Sequence, residues 1–408
     1  MAEFRRDFNL LECVSCGLCL EVCPTYDILR DEGSGPRGRI LLMDRLSRGS
    51  SFGEWTEHLD ACVGCLACQA RCPAGVPYGA MLDRAHESLR ARRPERGLSG
   101  RLERWVLDTM IPDRRRLARA LAIFRWMQRL GLLALARGLR LERLPGLDFL
   151  RGLHWMPRLA AAGKAPAPRT NGRFNYFRGC VGGHLFPAED RAARQLLDKL
   201  GGYRVADGEA CCGAIHRHRG DLEGSLDLAR RNIAAFEGDE FVVTTSAGCG
   251  AALKGYGEWL ADDPIWAARA RQFSARVRDL SEVVDPAILS DRETAPVSYS
   301  YEDACHALHA QGIGEEPRVL LDAIPSLNRV EMPHADRCCG AGGTWFLDQP
   351  ELSDVMISAK VEEFEASGAE MLVVANPGCR MQWERALRES GRRVRVAHPA
   401  EIWAEHLE

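Results

Sequence analysis

Apolar positions along the chain follow two different rhythms, and the change from one to the other marks its parts. In the first hundred residues, Arg39-Ile-Leu-Leu-Met-Asp-Arg-Leu spaces its apolar side chains as a helix does. Tyr78-Gly-Ala-Met-Leu-Asp-Arg-Ala-His-Glu-Ser-Leu-Arg does the same, and both stretches predict helices. Further on, Leu117, Leu121, Phe124 and Leu130 to Leu135 keep helical spacing. Beyond residue 170 the pattern shortens. Phe174-Asn-Tyr-Phe, Phe241-Val-Val-Thr-Thr, Val297-Ser-Tyr-Ser-Tyr and Met371-Leu-Val-Val are brief, β-rich apolar runs that read as buried strands. Helical stretches such as Leu222 to Phe236 and Glu351 to Ser367 lie between them. The pattern predicts a helical N-terminal unit over 1–97, a helical insert and linker over 98–170, and two α/β units over 171–290 and 291–408.

Cysteine changes the picture most. Cys13-Val-Ser-Cys16-Gly-Leu-Cys19-Leu-Glu-Val-Cys23-Pro24 is a C-x2-C-x2-C-x3-C-P run, the ferredoxin spacing that wraps thiolates around an iron–sulfur cube. It recurs as Cys62-Val-Gly-Cys65-Leu-Ala-Cys68-Gln-Ala-Arg-Cys72-Pro73. In two-cluster ferredoxins the fourth cysteine serves the other cluster. The expected ligand sets are therefore Cys13, Cys16, Cys19 and Cys72 for one [4Fe-4S] cube, and Cys62, Cys65, Cys68 and Cys23 for the other.

The remaining eight cysteines reveal a duplication. Cys180, Cys211-Cys212-Gly213 and Cys249 are matched by Cys305, Cys338-Cys339-Gly340 and Cys379, at offsets of 125 to 130 residues. Each set sits where a strand should end and a helix begin, a place that favours the thiolate needed for ligation. Eight cysteines in matched fours point to two further sites. Iron–sulfur, zinc and an active-site dithiol at Cys211-Cys212 or Cys338-Cys339 are all open for them. His184, His216, His218, His306, His309 and His334 lie near these loops, where a histidine more often supports a metal site than ligates it.

Charge and length exclude some classes. With 408 residues and a formal charge of −3, a general nucleic-acid binder is not expected. The first residues lack the apolar core of a signal peptide, and no uncharged apolar run is long enough to span a bilayer. A cytoplasmic address and reduced cysteines follow as expectations. Residues 98–160 hold 13 arginines against 5 acids, interleaved with Leu, Ala, Trp105, Trp126 and Trp155. Such a helical segment either packs on protein or lies peripherally on the inner face of the cytoplasmic membrane. Gly33-Ser-Gly35-Pro-Arg-Gly38 has dinucleotide-fingerprint spacing but no preceding strand, so it reads as a turn. Arg37 and Arg39 read as braces for helix ends or acidic side chains.

With these motifs, the chain resembles the iron–sulfur subunits of glycolate oxidase, within a wider set that joins ferredoxin modules to cysteine-rich Cys-Cys-Gly domains. The resemblance rests on Cys-Pro-Thr-Tyr at 23–26, Pro-Arg-Gly-Arg-Ile at 36–40 and His-Leu-Asp-Ala-Cys at 58–62. Gly-Cys-Val at 179–181, Cys-Cys-Gly-Ala at 211–214 and Ser-Ala-Gly-Cys-Gly at 246–250 complete it. It implies a multidomain α+β chain: a two-cluster ferredoxin-like domain, a helical insert and two duplicated cysteine-rich domains. It further implies an electron-transfer subunit, with hydroxy-acid oxidation on partner subunits that carry FAD and a respiratory quinone as acceptor. Iron–sulfur subunits of D-lactate or glycerol-3-phosphate dehydrogenases, and disulfide reductase subunits, are the alternatives. Ala252 and Gln382 stand where the fullest Cys-Cys-Gly motif has a fifth cysteine, which argues against a five-thiolate cluster.

Overall fold

The computed structural model describes residues 12–50, 53–92, 100, 102, 104–139, 156–159, 164–290 and 295–407. Trp155 of the insert lies outside them, as do the first eleven residues.

The two cysteine-rich units are copies of one parallel sheet. The first holds β1 (Phe174–Tyr176), β2 (Tyr203–Arg204), β3 (Phe241–Thr244) and β4 (Val277–Asp279) in the order β2-β1-β3-β4. The second holds β5 (Val297–Glu302), β6 (Leu327–Arg329), β7 (Met371–Val374) and β8 (Arg395–Ala397) in the order β6-β5-β7-β8. Every pairing is parallel, with Phe174 opposite Phe241 and Tyr299 opposite Met371 at the centres. A parallel sheet needs cover on both faces, and so Met371 to Val374 are buried without alternation.

One face of each sheet points at the other copy. A single apolar core contains Phe174, Tyr176 and Leu196 from the first copy and Tyr299, Leu321 and Trp403 from the second. The packing is reciprocal. The helix Pro187–Lys199, which follows β1, lies on the helix Pro399–Glu405, which follows β8, and the helix Glu315–Asp322, which follows β5, lies on the turn Leu280–Glu282, which follows β4. The outer faces carry separate cores, one containing Cys180, Cys211 and Cys212, the other Cys339 and Cys379.

The N-terminal module is helical, as its apolar spacing predicts. Pro36–Ser47 and Tyr78–Arg92 enclose Ile40, Met43, Met81, Leu82 and Leu89. Proline opens several helices in the chain, including Pro24–Leu29, Pro36–Ser47 and Pro377–Glu389, where its missing N–H is not needed. The Gly33–Gly38 stretch is a short 3-10 turn running into the helix at Pro36. Gly38 is required by crowding: a Cβ there would sit 1.9 Å from the Glu32 carbonyl oxygen.

The insert forms two helices, Arg114–Arg129 and Leu132–Gly138, broken at Gly131, whose φ is 72°. It is pinned to the first repeat. Arg114 pairs with the buried Glu209 and donates to the Gly179 carbonyl at 2.8 Å, while Leu117 rests on that repeat's outer core. Among the described residues, no helix is long and apolar enough to cross a membrane.

Candidate iron–sulfur and thiol centres

The two ferredoxin runs share a backbone device. Residues on either side of the second cysteine take left-handed conformations: Ser15 and Gly17 around Cys16, Gly64 and Leu66 around Cys65, with φ between 55° and 84°. Ser15 and Leu66 adopt this conformation at a steric cost, which a non-glycine residue accepts only where the surroundings enforce it. The curl turns the thiols inward on one side of each loop.

Cys13, Cys16, Cys19 and Cys72 line one cavity together with Cys68. This site borders solvent, since Cys16 and Val14 are exposed. The other four are deeper: Cys23 and Cys65 are buried, and Cys68 has Cys62 and Cys23 as its nearest charged neighbours. Burial, then the proximity of Cys62 and Cys23, pushes the Cys68 thiol well above its usual range. Burial does the same to Cys65, followed by Cys338 and Cys68. Thiols packed this way repel as thiolates unless a cation lies between them.

The donor set fits iron. None of the sixteen cysteines is in a disulfide. Tyr78 donates from Oη to Cys62 Sγ at 3.5 Å. Arg39, 1% exposed, donates from Nε to the His58 carbonyl at 2.7 Å and from Nη1 towards Cys23 Sγ at 3.9 Å. Its Nη2 is buried without a partner. A buried cation with a spare donor beside four thiols suits an anionic cluster. Burial works to lower its pKa, but the anionic forms of Cys62, Tyr78 and Cys23 outweigh that and raise it. When bound, cubes at these sites would supply one-electron redox chemistry, at potentials that protein hydrogen bonds and burial adjust.

Each repeat gathers its own four cysteines. In the first, Cys180 Sγ lies 3.5 Å from Cys211 Sγ, and Cys212 reaches Cys249. Asn232 clamps this pair, accepting from Ala210 N at 2.9 Å and donating to the Cys211 carbonyl at 2.9 Å. Tyr256 Oη holds the Cys212 carbonyl at 2.9 Å. In the second repeat, the Cys305 thiol lies within hydrogen-bond reach of Cys338, and that of Cys339 within reach of Cys379. Hydrogen bonds from Cys305 and Cys339 hold Cys338 well below the ordinary thiol range, while those neighbours are pushed up. Lys360, 3% exposed, supports that loop: its ammonium donates to the carbonyls of His334, Ala335 and Arg337 and lies 2.9 Å from the buried Glu302. At the positions where a fifth cysteine would stand, Ala252 is core and Gln382 donates to Ser353 Oγ at 2.7 Å.

Cys249 and Cys379 each lie in the first turn of a helix, Ala247–Trp259 and Pro377–Glu389. These helix starts meet head to head. Asn376 accepts from Gly248 N at 3.2 Å and donates to Cys379 Sγ at 3.4 Å, linking the two sites. The second site also touches the ferredoxin module, where Cys65, Val63 and Ala67 share an apolar cluster with Cys338 and Trp345. Trp345 Nε1 donates to the Asp60 carbonyl at 3.0 Å.

The histidines divide. His306 Nδ1 lies 3.5 Å from Cys305 Sγ, and its ring is 5.7 Å from that of His218. Burial pushes both down to about 4. His216 Nε2 faces the Leu107 carbonyl at 3.1 Å, and His334 is exposed against Glu363. His184 is half-buried near Arg114 and Arg178, and desolvation again lowers it to about 4; burial lowers His309 too. Arg37 pairs with Glu32 and reaches the Ser15 carbonyl at 3.3 Å, so it braces the first cysteine loop. Sequence reasoning missed the buried roles of Arg39 and Lys360 and the linking role of Asn376; a lone polar residue in an amphipathic stretch carries no signal of burial.

Four gathered groups of cysteines, two on ferredoxin loops and two at strand ends of a duplicated sheet, define an iron–sulfur electron-transfer protein. Family models agree: a 4Fe-4S dicluster domain matches residues 9–76, and a cysteine-rich domain matches 174–254 and 299–384. The chain is 34% identical to the glycolate oxidase iron-sulfur subunit of Escherichia coli, over 98% of this chain and 95% of that one. It is 32% identical to the probable glycolate oxidase iron-sulfur subunit of Bacillus subtilis, over 97% and 94%. Lactate utilization protein A of Lysinibacillus sphaericus matches 48% of this chain at 31% identity. The chain belongs to the family of glycolate oxidase iron–sulfur subunits.

Proposed function

We propose that this chain is the electron relay of a flavin-dependent 2-hydroxy-acid dehydrogenase complex. A partner subunit carrying FAD takes two electrons from a hydroxy acid such as glycolate. This chain accepts them one at a time on a cube held by Cys13, Cys16, Cys19 and Cys72 and a second held by Cys62, Cys65, Cys68 and Cys23, and delivers them towards a quinone. The four-thiol groups of the repeats, Cys180, Cys211, Cys212 and Cys249, and Cys305, Cys338, Cys339 and Cys379, hold further iron–sulfur or zinc. The observation that carries the reading is the gradient of burial: the first site borders solvent, where a partner docks, and the second lies inside, with Cys65 against Cys338. The insert's exposed Ile123, Trp126 and Leu135 among arginines suit peripheral contact with an anionic membrane.

The test is a reconstituted complex assayed at both ends. Replacing Cys65 by Ser abolishes hydroxy-acid-driven quinone reduction but leaves artificial-dye reduction at the flavin subunit. Loss of both activities, with the flavin subunit intact, points instead to catalysis on this chain.

A further inference from the structure

A cavity of about 260 Å³ lies where the ferredoxin module, the start of the insert and both repeats converge. Cys62 is in its wall, so an occupant would sit beside a ligand of the inner cube. We propose that this cavity binds the ring of a quinone, the acceptor of the relay. The proposal rests on the relay reading and adds the place where the electrons leave.

The size suits one ring headgroup, being near the lower end of small-molecule sites, about 300 Å³. The lining includes apolar Leu82, Leu89 and Trp345, which suit a planar ring, and polar His218, Thr344 and Gln349, which suit its carbonyl oxygens. Neither ring nitrogen of His218 has a hydrogen-bond partner among the described residues; its carbonyl faces His86 Nδ1 at 3.0 Å and its ring packs edge-on against that of His306. Burial keeps that imidazole neutral, so it presents an N–H without a full charge.

Charge argues for a neutral ligand over an anion. Arg219 pairs with Asp348 at 3.0 Å, and Arg90 with Asp221 at 3.5 Å, so two of the three wall arginines are already countered; the third, Arg104, shares the wall with the acid Asp60. The insert, which contributes Gly100, Arg104 and Leu107 to the wall, also carries the exposed apolar side chains Leu102, Trp105, Ile123, Trp126 and Leu130.

The chemistry balances with partners already named. A quinone takes two electrons, delivered singly by iron–sulfur clusters as one-electron reductants, and two protons. Each carbonyl oxygen gains an O–H bond and the ring becomes aromatic quinol. Both protons enter from water; the neutral His218 imidazole donates a hydrogen bond to one carbonyl oxygen and keeps its own proton.

The experiment uses full-length, anaerobically purified protein with its clusters. Saturable binding of a short-chain ubiquinone analogue is measured by calorimetry on the oxidised form. His218→Phe and Gln349→Trp, the second filling the cavity from a helix N-cap that makes no side-chain cap bond, should each weaken binding at least tenfold at unchanged iron content. They should slow reoxidation of the dithionite-reduced clusters by quinone but not by ferricyanide. Absence of saturable binding in the wild type, unchanged affinity in both variants, or binding of glycolate in place of quinone overturns the proposal. If ferricyanide reoxidises the clusters while quinone does not bind, only the cavity proposal falls. Clusters that neither oxidant reoxidises bring down the relay reading, and this proposal with it.

Discussion

Replacing Lys360 by Met tests what holds the second cysteine pair in place. The ammonium is 3% exposed, and its partner Glu302 is 1% exposed, so both charges have left water. Three carbonyls, of His334, Ala335 and Arg337, receive hydrogen bonds at 2.9 to 3.2 Å, and these residues run directly into Cys338. Methionine fills similar volume but leaves the carbonyls unsatisfied and Glu302 without its cation. Removing one partner of a buried ion pair costs about 3–5 kcal/mol. The two repeats share one apolar core and so unfold together, as a unit of some 230 residues in which each kcal/mol shifts Tm by roughly 2–4 °C. The expected drop is therefore roughly 6–20 °C, measured by calorimetry on holo protein. Adding Glu302→Gln should recover part of the loss, because the orphaned carboxylate is gone. A single variant that melts within about 2 °C of wild type would refute the reasoning, and so would a double variant no better than the single.

Other consequences can be checked alongside. Cys65→Ser should remove the inner cube and destabilise residues 12–92; unchanged iron content and melting would contradict that. Arg39→Met should lower the inner cube's potential by something on the order of 50–150 mV, since a buried cation near Cys23 and Cys62 favours the reduced, more negative cluster; a redox titration followed by electron paramagnetic resonance reads the shift, and no change rejects it. His184 is held down to about 4 in the folded chain against 6.5 when exposed. Its contribution is thus complete above pH 6.5 and lost as pH falls from there towards 4. The stability difference between wild type and His184→Gln should shrink over that window in denaturant titrations, and a difference independent of pH argues against it. Full-length protein should sediment with anionic vesicles at low salt and lose this on Trp126→Glu; equal sedimentation of both forms rejects the insert as the contact.

Much of this architecture could be read from residue spacing, and the reason is local. A C-x2-C-x2-C run has few ways to turn three thiols inward, and the left-handed residues beside Cys16 and Cys65 are what that geometry demands. Likewise the matched cysteine offsets mark a duplication, and two sheets of the same strand order follow from it. What stayed hidden depends on distance along the chain. Runs such as Met371 to Val374 are apolar on both faces, so they do not say which face meets the other copy. The approach of Cys65 to Cys338 is a tertiary event that no spacing encodes. Lys360 and Arg39 look like surface charges because their acceptors, mostly backbone carbonyls, leave no mark in sequence.

The reciprocal seam between the repeats has the form of an isologous dimer interface made within one polypeptide: the helix after β1 meets the element after β8, and the helix after β5 meets the element after β4. In a dimer of identical chains, any substitution at such a seam is made twice, and both halves must present the same face to every neighbour. Fusion lifts that constraint. Only the second half abuts Cys65, while the first holds the insert through Glu209, so a symmetric ancestor could divide its labour without giving up the surface that holds it together.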